Sequence, residues 1–211
     1  MKLADYLAPL PLVAVLRGIT PDEVDDVGDA LAGEGFRILE VPLNSPRPFE
    51  SIHRLSQRFG ERCLVGAGTV VETADASRVQ EAGGRLIVMP HADVAVVREA
   101  KRLGMICMPG VATPTEAFAA LAAGADGLKL FPAEAMVPAA LRAWRAVLPK
   151  GTLVFAVGGI RPDNMTAWWA QGADGFGTGS NLYKPGADAA QVRRAAAAYA
   201  DAFRALPAGH A

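Results

Sequence analysis

The sequence predicts an α/β fold, a (β/α)8 TIM barrel with a short N-terminal helix, and three observations carry that expectation. An amphipathic stretch, a glycine and a short apolar run recur in that order along the chain. The apolar runs number eight, the count that closes a cylinder. Each run is a near-continuous series of aliphatic residues, the pattern of parallel strands covered on both faces. An open doubly wound sheet is the structural alternative.

The punctuating glycines are Gly35, Gly60, Gly84, Gly104, Gly124, Gly151 and Gly172. Their spacing of about 20 to 27 residues fits one helix, one strand and two short turns. A glycine at a helix end supplies the left-handed cap that returns the chain to the sheet. The first strand is LVAVLR from Leu12, and Thr20-Pro21-Asp22-Glu23 opens the helix behind it. FRILEVPL from Phe36 is the second strand, with a helix over Ser45 to Phe59. CLVGAG from Cys63 leads to a helix over Thr73 to Ala82, and RLIVMP from Arg85 to one over Ala92 to Leu103. MICMPG from Met105 precedes a helix that Thr113 and Pro114 start and that runs to Ala123. GLKLFP from Gly127 is the sixth strand, followed by a helix over Pro138 to Val147. TLVFAVGG from Thr152 and a helix from Arg161-Pro162 to Gln171 come next, then GFGTGS from Gly175 and an Ala-rich helix over roughly Ala187 to Ala205. Hydroxyl, acidic and proline residues at these helix starts are the usual openers. With no linker or low-complexity tract, residues 1–211 read as one domain.

Composition narrows the function classes. Lys plus Arg number 21 against 22 Asp plus Glu, and only 7% of residues are aromatic, so the chain offers neither a basic stripe nor a stacking platform for nucleic acid. No apolar run approaches the ~18 residues needed to span a bilayer, so no membrane partner is expected. The N-terminus lacks the form of a secretory signal. Cys63 and Cys107 sit in apolar stretches and read as buried hydrophobes of a protein in the reducing cytoplasm.

Active sites of barrels form at the C-terminal ends of the strands, and two charges stand there in otherwise apolar runs. Period-two alternation turns Glu40 inward between Leu39 and Val41, and Lys129 inward between Leu128 and Leu130. Both belong to even-numbered strands and so can share one interior layer. A structural ion pair plugging the barrel is one reading. The other is chemical: a lysine in a dehydrated site loses part of its preference for the ammonium form and attacks carbonyl carbon as a free amine, and a neighbouring carboxylate moves the protons that Schiff-base chemistry requires.

The last two strands end in Gly158-Gly159 and in Gly179-Ser180, where barrels hold phosphate on backbone N–H groups. Arg17 shares the parity of Val13 and Val15 and reaches the mouth as a carboxylate or phosphate ligand, or else lies solvated on the surface. Thr69, closing Gly66-Ala67-Gly68-Thr69, suits a small carboxylate near the lysine, or simply makes a turn. His53, His91 and His210 show no metal-ligand spacing, so no metal and no cofactor are expected; His91 reads as a helix-start residue, and Trp144, Trp168 and Trp169 as packing.

Five strand-end motifs, LRGI from Leu16, EVPLNS from Glu40, GAGTV from Gly66, LKLFP from Leu128 and AVGGI from Ala156, resemble the KDPG/KHG aldolase family over about residues 8 to 205. The resemblance implies a metal-independent class I aldolase and a homotrimer acting on a phosphorylated keto-deoxy sugar acid and releasing pyruvate. It implies imine formation at Lys129, proton shuttling by Glu40, keto-acid contacts from Thr69 and Arg17, walls from Pro90 and Phe131, and phosphate binding at Gly158, Gly159, Gly179 and Ser180. Two positions depart from the gluconate-type pattern: Pro42-Leu43-Asn44 replaces Thr-Leu-Arg, and Val157 replaces Thr. Both match the branch acting on the galactonate epimer, which places Val157 beside carbon 4 of the substrate. The gluconate epimer, or both epimers, is the runner-up. A barrel isomerase without a covalent intermediate and a sugar-phosphate sensor are the readings from other classes.

Overall fold

The structure, a computed structural model, describes residues 2–207. Its strands are β1 (Leu12–Val15), β2 (Ile38–Pro42), β3 (Leu64–Gly68), β4 (Leu86–Val88), β5 (Ile106–Met108), β6 (Gly110–Val111), β7 (Leu128–Leu130), β8 (Val154–Val157) and β9 (Gly175–Thr178). Every pairing is parallel, in the order β5-β4-β3-β2-β1-β9-β8-β7-β6. Nine strands replace the expected eight because the fifth is divided at Pro109, which has no N–H for the ladder. Its first half pairs with β4 and its second with β7. The carbonyls of Cys107, Pro109 and Val111 accept from Asp126, Lys129 and Phe131 N–H at 3.0, 2.9 and 3.1 Å, so the two ends of the sheet meet and the barrel closes.

The helices are α1 (Val24–Gly33), α2 (Pro48–Phe59), α3 (Thr73–Glu81), α4 (Val94–Arg102), α5 (Pro114–Ala122), α6 (Pro138–Arg145), α7 (Met165–Trp169) and α8 (Ala189–Arg204). Thr113 with Glu116 and Asp188 with Gln191 form reciprocal caps on α5 and α8. Three helices, α1, α2 and α7, begin about a turn later than the sequence suggests. Ser45 does not open α2, because its Oγ accepts the Gly18 N–H at 2.9 Å. Glu23 turns back to Thr20 rather than capping α1 within it. Ahead of α7, Asn164 accepts the Arg161 N–H at 2.9 Å and closes a turn.

Alternation along the strands sorts the apolar side chains into two cores. Leu39, Val41, Leu128 and Leu130 point outward against the helices, with Trp144, Trp168 and Trp169 in the same cluster. Val13, Ile38, Leu64, Leu86, Ile106 and Phe155 fill the cylinder. The N-terminal 3-10 turn, Leu3–Tyr6, drives Leu3 and Tyr6 into that interior cluster. Gly127 makes room for it: a Cβ there would stand 2.9 Å from Leu3 Cδ2. One end of the barrel is thereby plugged with hydrocarbon, and a substrate has the other end to enter.

Candidate active site

Alternation carries Glu40 and Lys129 inward at the open end, and both are buried, at 1% and 6% exposure. Above them lies a cavity of about 440 Å³ whose wall includes Arg17, Lys129, Phe131, Val157, Gly158, Gly159, Gly179 and Ser180. Beneath it is a chamber of about 10 Å³ lined by Glu40, Lys129, Val157, Val88 and Met108. The upper space fits a sugar acid and the lower holds no more than about one water. Lys129 and Val157 border both, so a ligand in the mouth meets the lysine with Glu40 at the floor.

Glu40 owes its place to a missing side chain. A Cβ on Gly68 would lie 1.5 Å from Glu40 Oε2, so the carboxylate occupies the space that any other residue at 68 would fill. Oε2 has no hydrogen-bond partner among the described residues. Burial raises the Glu40 pKa from 4.5 to about 6, against the opposing attraction of Lys129 and Arg17. Burial also pushes the Lys129 ammonium below the ordinary lysine range; Glu40 opposes that shift and Arg17 adds to it. Among the described residues no carboxylate lies within 4.0 Å of Lys129 Nζ. The plugging ion pair is therefore not what the barrel contains. The Nζ instead stands 4.7 Å from the centroid of the Phe131 ring.

Arg17 is exposed at the rim, where its Nη1 donates to Asn44 Oδ1 at 2.7 Å and its Nη2 to Thr69 Oγ1 at 3.5 Å. Asn44 thus has a place in the site: an arginine there would set a second cation where Arg17 now finds an acceptor. Thr69 holds φ at 57°, a left-handed conformation that costs a β-branched residue on the order of 1–3 kcal/mol. Pro90 stands outside the cavity wall, its carbonyl packed where a Cβ on Gly110 would fall.

Several residues of the site escape a reading of the sequence. Glu134 lines the cavity and lies against the Gly158-Gly159 turn; a Cβ on Gly159 would meet its Oε2 at 2.9 Å. That carboxylate puts negative charge beside a turn expected to bind phosphate. Asn181, Tyr183, Lys184 and Pro185, just beyond the last strand, complete the wall on the other side. Their only sequence signal is position after a C-terminal strand end.

The remaining candidates stay outside. His53 and His91 are exposed, and α4 is capped by Asp93, not His91; His210 lies outside the described residues. Among the described residues no three His, Cys, Asp or Glu are grouped to hold a metal ion, and no helix is long and apolar enough to cross a membrane. Cys63 and Cys107 are buried free thiols, and burial pushes the Cys107 pKa to about 12.

The sequence model of the KDPG and KHG aldolase family matches residues 3–195. A probable 2-dehydro-3-deoxy-6-phosphogalactonate aldolase of Rhizobium meliloti is 49% identical over 199 residues, 94% of each chain. The 2-dehydro-3-deoxy-6-phosphogalactonate aldolase of Escherichia coli K12 is 44% identical over 195 residues, 92% of this chain and 95% of that one. A solved structure described as native KDPGal superposes with a TM-score of 0.92 at 43% identity, over 97% of this chain and 98% of its own.

Proposed function

The chain belongs to the KDPG and KHG aldolase family, and we propose from that membership that it cleaves 2-dehydro-3-deoxy-6-phosphogalactonate to pyruvate and D-glyceraldehyde 3-phosphate. The observation that carries the proposal is Lys129 itself, a buried amine without an ion-pair partner among the described residues, at the boundary between a substrate-sized cavity and a buried carboxylate.

The neutral amine of Lys129 attacks the 2-keto carbon, and loss of water from the carbinolamine leaves a protonated imine. Glu40, directly or through one water, takes the proton of the carbon 4 hydroxyl. The bond between carbons 3 and 4 breaks, its electron pair moves into the imine to give an enamine on Lys129, and glyceraldehyde 3-phosphate departs as the free aldehyde. Glu40 returns the proton to carbon 3, and hydrolysis of the new imine frees pyruvate and the amine. The imine nitrogen is the electron sink, so this route calls for no metal ion. Desolvation serves both partners by bringing the carboxyl and the amine toward neutrality.

Arg17, oriented by Asn44 and Thr69, takes the keto-acid carboxylate on this reading, and Phe131 forms a wall. The backbone of Gly158, Gly159 and Gly179 with the Ser180 hydroxyl holds the phosphate, and Glu134 has to swing from its turn to admit it. Val157 presents hydrocarbon where carbon 4 would lie. Such a wall offers no hydroxyl to favour the gluconate epimer. The same reading makes the chain one domain, cytoplasmic, and assembled as a homotrimer.

The test is reductive trapping. Pyruvate with borohydride should add one pyruvate-derived group at Lys129, read by peptide mass, with loss of activity in proportion. An unmodified and fully active protein after that treatment would refute the covalent route.

A further inference from the structure

Glu23 lies outside the cavity wall, yet its carboxylate joins two loops at the open end of the barrel. Its Oε2 accepts hydrogen bonds from the Thr20 N–H at 2.9 Å, the Thr20 hydroxyl at 2.7 Å and the Tyr183 hydroxyl at 3.4 Å. Its Oε1 accepts from the Gly186 N–H at 3.2 Å. Burial favours the neutral acid, but these bonds together outweigh it and hold Glu23 below the ordinary glutamate range, so the strap is a carboxylate. Thr20 belongs to the loop after β1, and Tyr183 and Gly186 to the segment after β9.

A second contact pins the same two loops. Gly18 sits at φ +83°, and a Cβ there would stand 2.7 Å from Pro185 Cγ. Between the two pins the chain exposes Lys184, which lines the cavity and has no carboxylate within 4.0 Å among the described residues. A cation on an untied loop would lose conformational freedom on meeting its ligand, and tying the loop beforehand removes that cost from binding.

We propose that Glu23 is a positioning residue that fixes the segment from Asn181 to Gly186 so that Lys184 faces the phosphoryl end of the substrate, and that it thereby sets the preference for a phosphorylated over an unphosphorylated keto acid. The inference rests on the aldolase reading of the cavity and concerns the end of the substrate remote from the bond that breaks. It assigns Glu23 no contact with substrate.

The experiment compares kcat/KM for the phosphorylated 2-keto-3-deoxy acid and for the same acid without its phosphate, in the full chain and in Glu23→Ala, Glu23→Gln, Lys184→Met and the Glu23→Ala/Lys184→Met double variant. Glu23→Ala lowers the ratio of the two constants about ten-fold and leaves borohydride trapping by pyruvate at the wild-type yield. Glu23→Gln, with one carbonyl acceptor left, recovers part of the ratio. Lys184→Met lowers the ratio as well, and the double variant falls no further than the weaker single one, because one residue acts through the other. Equal losses on both acids would reduce the strap to a fold contact and overturn the inference, as would additive losses in the double variant. Trapping with an unchanged ratio overturns it alone, whereas a wild-type protein that pyruvate cannot trap brings down the aldolase reading with it.

Discussion

Replacing Glu40 by glutamine should spare the protein a loss of stability that grows with pH and should leave it nearly inactive, and the pH dependence of the first effect can be worked from the structure. The carboxyl is buried, and its pKa stands at about 6 instead of 4.5. Between those two values the folded protein holds the proton more tightly than the unfolded chain, so stability falls as pH rises through the window. A pKa difference of about 1.5 at 1.36 kcal/mol each amounts to roughly 2 kcal/mol, absent below about pH 4 and complete by about pH 7. The attraction of Lys129 and Arg17 is already contained in that value. Glutamine cannot ionise, so Glu40→Gln escapes the loss. Its own buried amide carries a cost independent of pH, and the quantity to measure is therefore a double difference: variant minus wild type by urea unfolding near pH 7, less the same difference near pH 4. It should come to about +2 kcal/mol in favour of the variant. Activity at neutral pH should fall by on the order of 10² or more, and the acid limb of wild-type kcat/KM should lie near the folded-state pKa of about 6. A double difference indistinguishable from zero, or a variant that keeps its turnover, would refute the argument that desolvation tunes this carboxyl for proton transfer.

Two further substitutions probe the walls. Gly68→Ala places a methyl group 1.5 Å from Glu40 Oε2, so Glu40 has to leave its position; turnover should fall as far as in Glu40→Gln while circular dichroism keeps the fold, and wild-type turnover would show that the carboxylate position is not needed. Val157→Thr introduces a hydroxyl where the proposed function puts carbon 4, and a hydrogen bond that only one epimer completes is worth about 1 to 3 kcal/mol; the ratio of kcat/KM for the gluconate over the galactonate epimer should rise about ten-fold or more, and an unchanged ratio would remove Val157 from the account of specificity.

The barrel and its two inward charges were readable in the sequence because both follow from alternation. Leu39, Val41, Leu128 and Leu130 belong to the outer core, and the residues between them face inward as period two demands. The division of the fifth strand was also within reach, since Pro109 sits in the middle of the apolar run. Glycines were the harder case. Gly66-Ala67-Gly68 reads as backbone left bare for a ligand, whereas Gly68 is bare for Glu40, a residue of the adjacent strand. Nothing local to 68 records that need, because the neighbour that fills the space is 28 positions away in the chain. The same limit hid the bond from Arg17 to Asn44, the carboxylate of Glu134 against the Gly158-Gly159 turn, and the strap from Glu23 to Tyr183, which spans 160 positions. Contacts within one element leave a periodic trace, and contacts between loops brought together by barrel closure leave none.

The separation of the two charges has its own consequence. Had Glu40 and Lys129 met within hydrogen-bonding distance, their attraction at low dielectric would have held the lysine as an ammonium and the glutamate as an occupied acceptor. They share a chamber without that bond, and Glu40 Oε2 has no hydrogen-bond partner among the described residues. Desolvation then outweighs their mutual attraction on both groups, lifting the acid and lowering the amine from opposite ends of the pH scale. On the proposed mechanism this separation favours reactivity: bringing the pair together would hold the amine protonated and suppress the nucleophile. The bare α-carbon of Gly68 gives Glu40 a resting place away from Lys129, and on the proposed mechanism a glycine with no chemistry of its own thereby keeps the amine free to react.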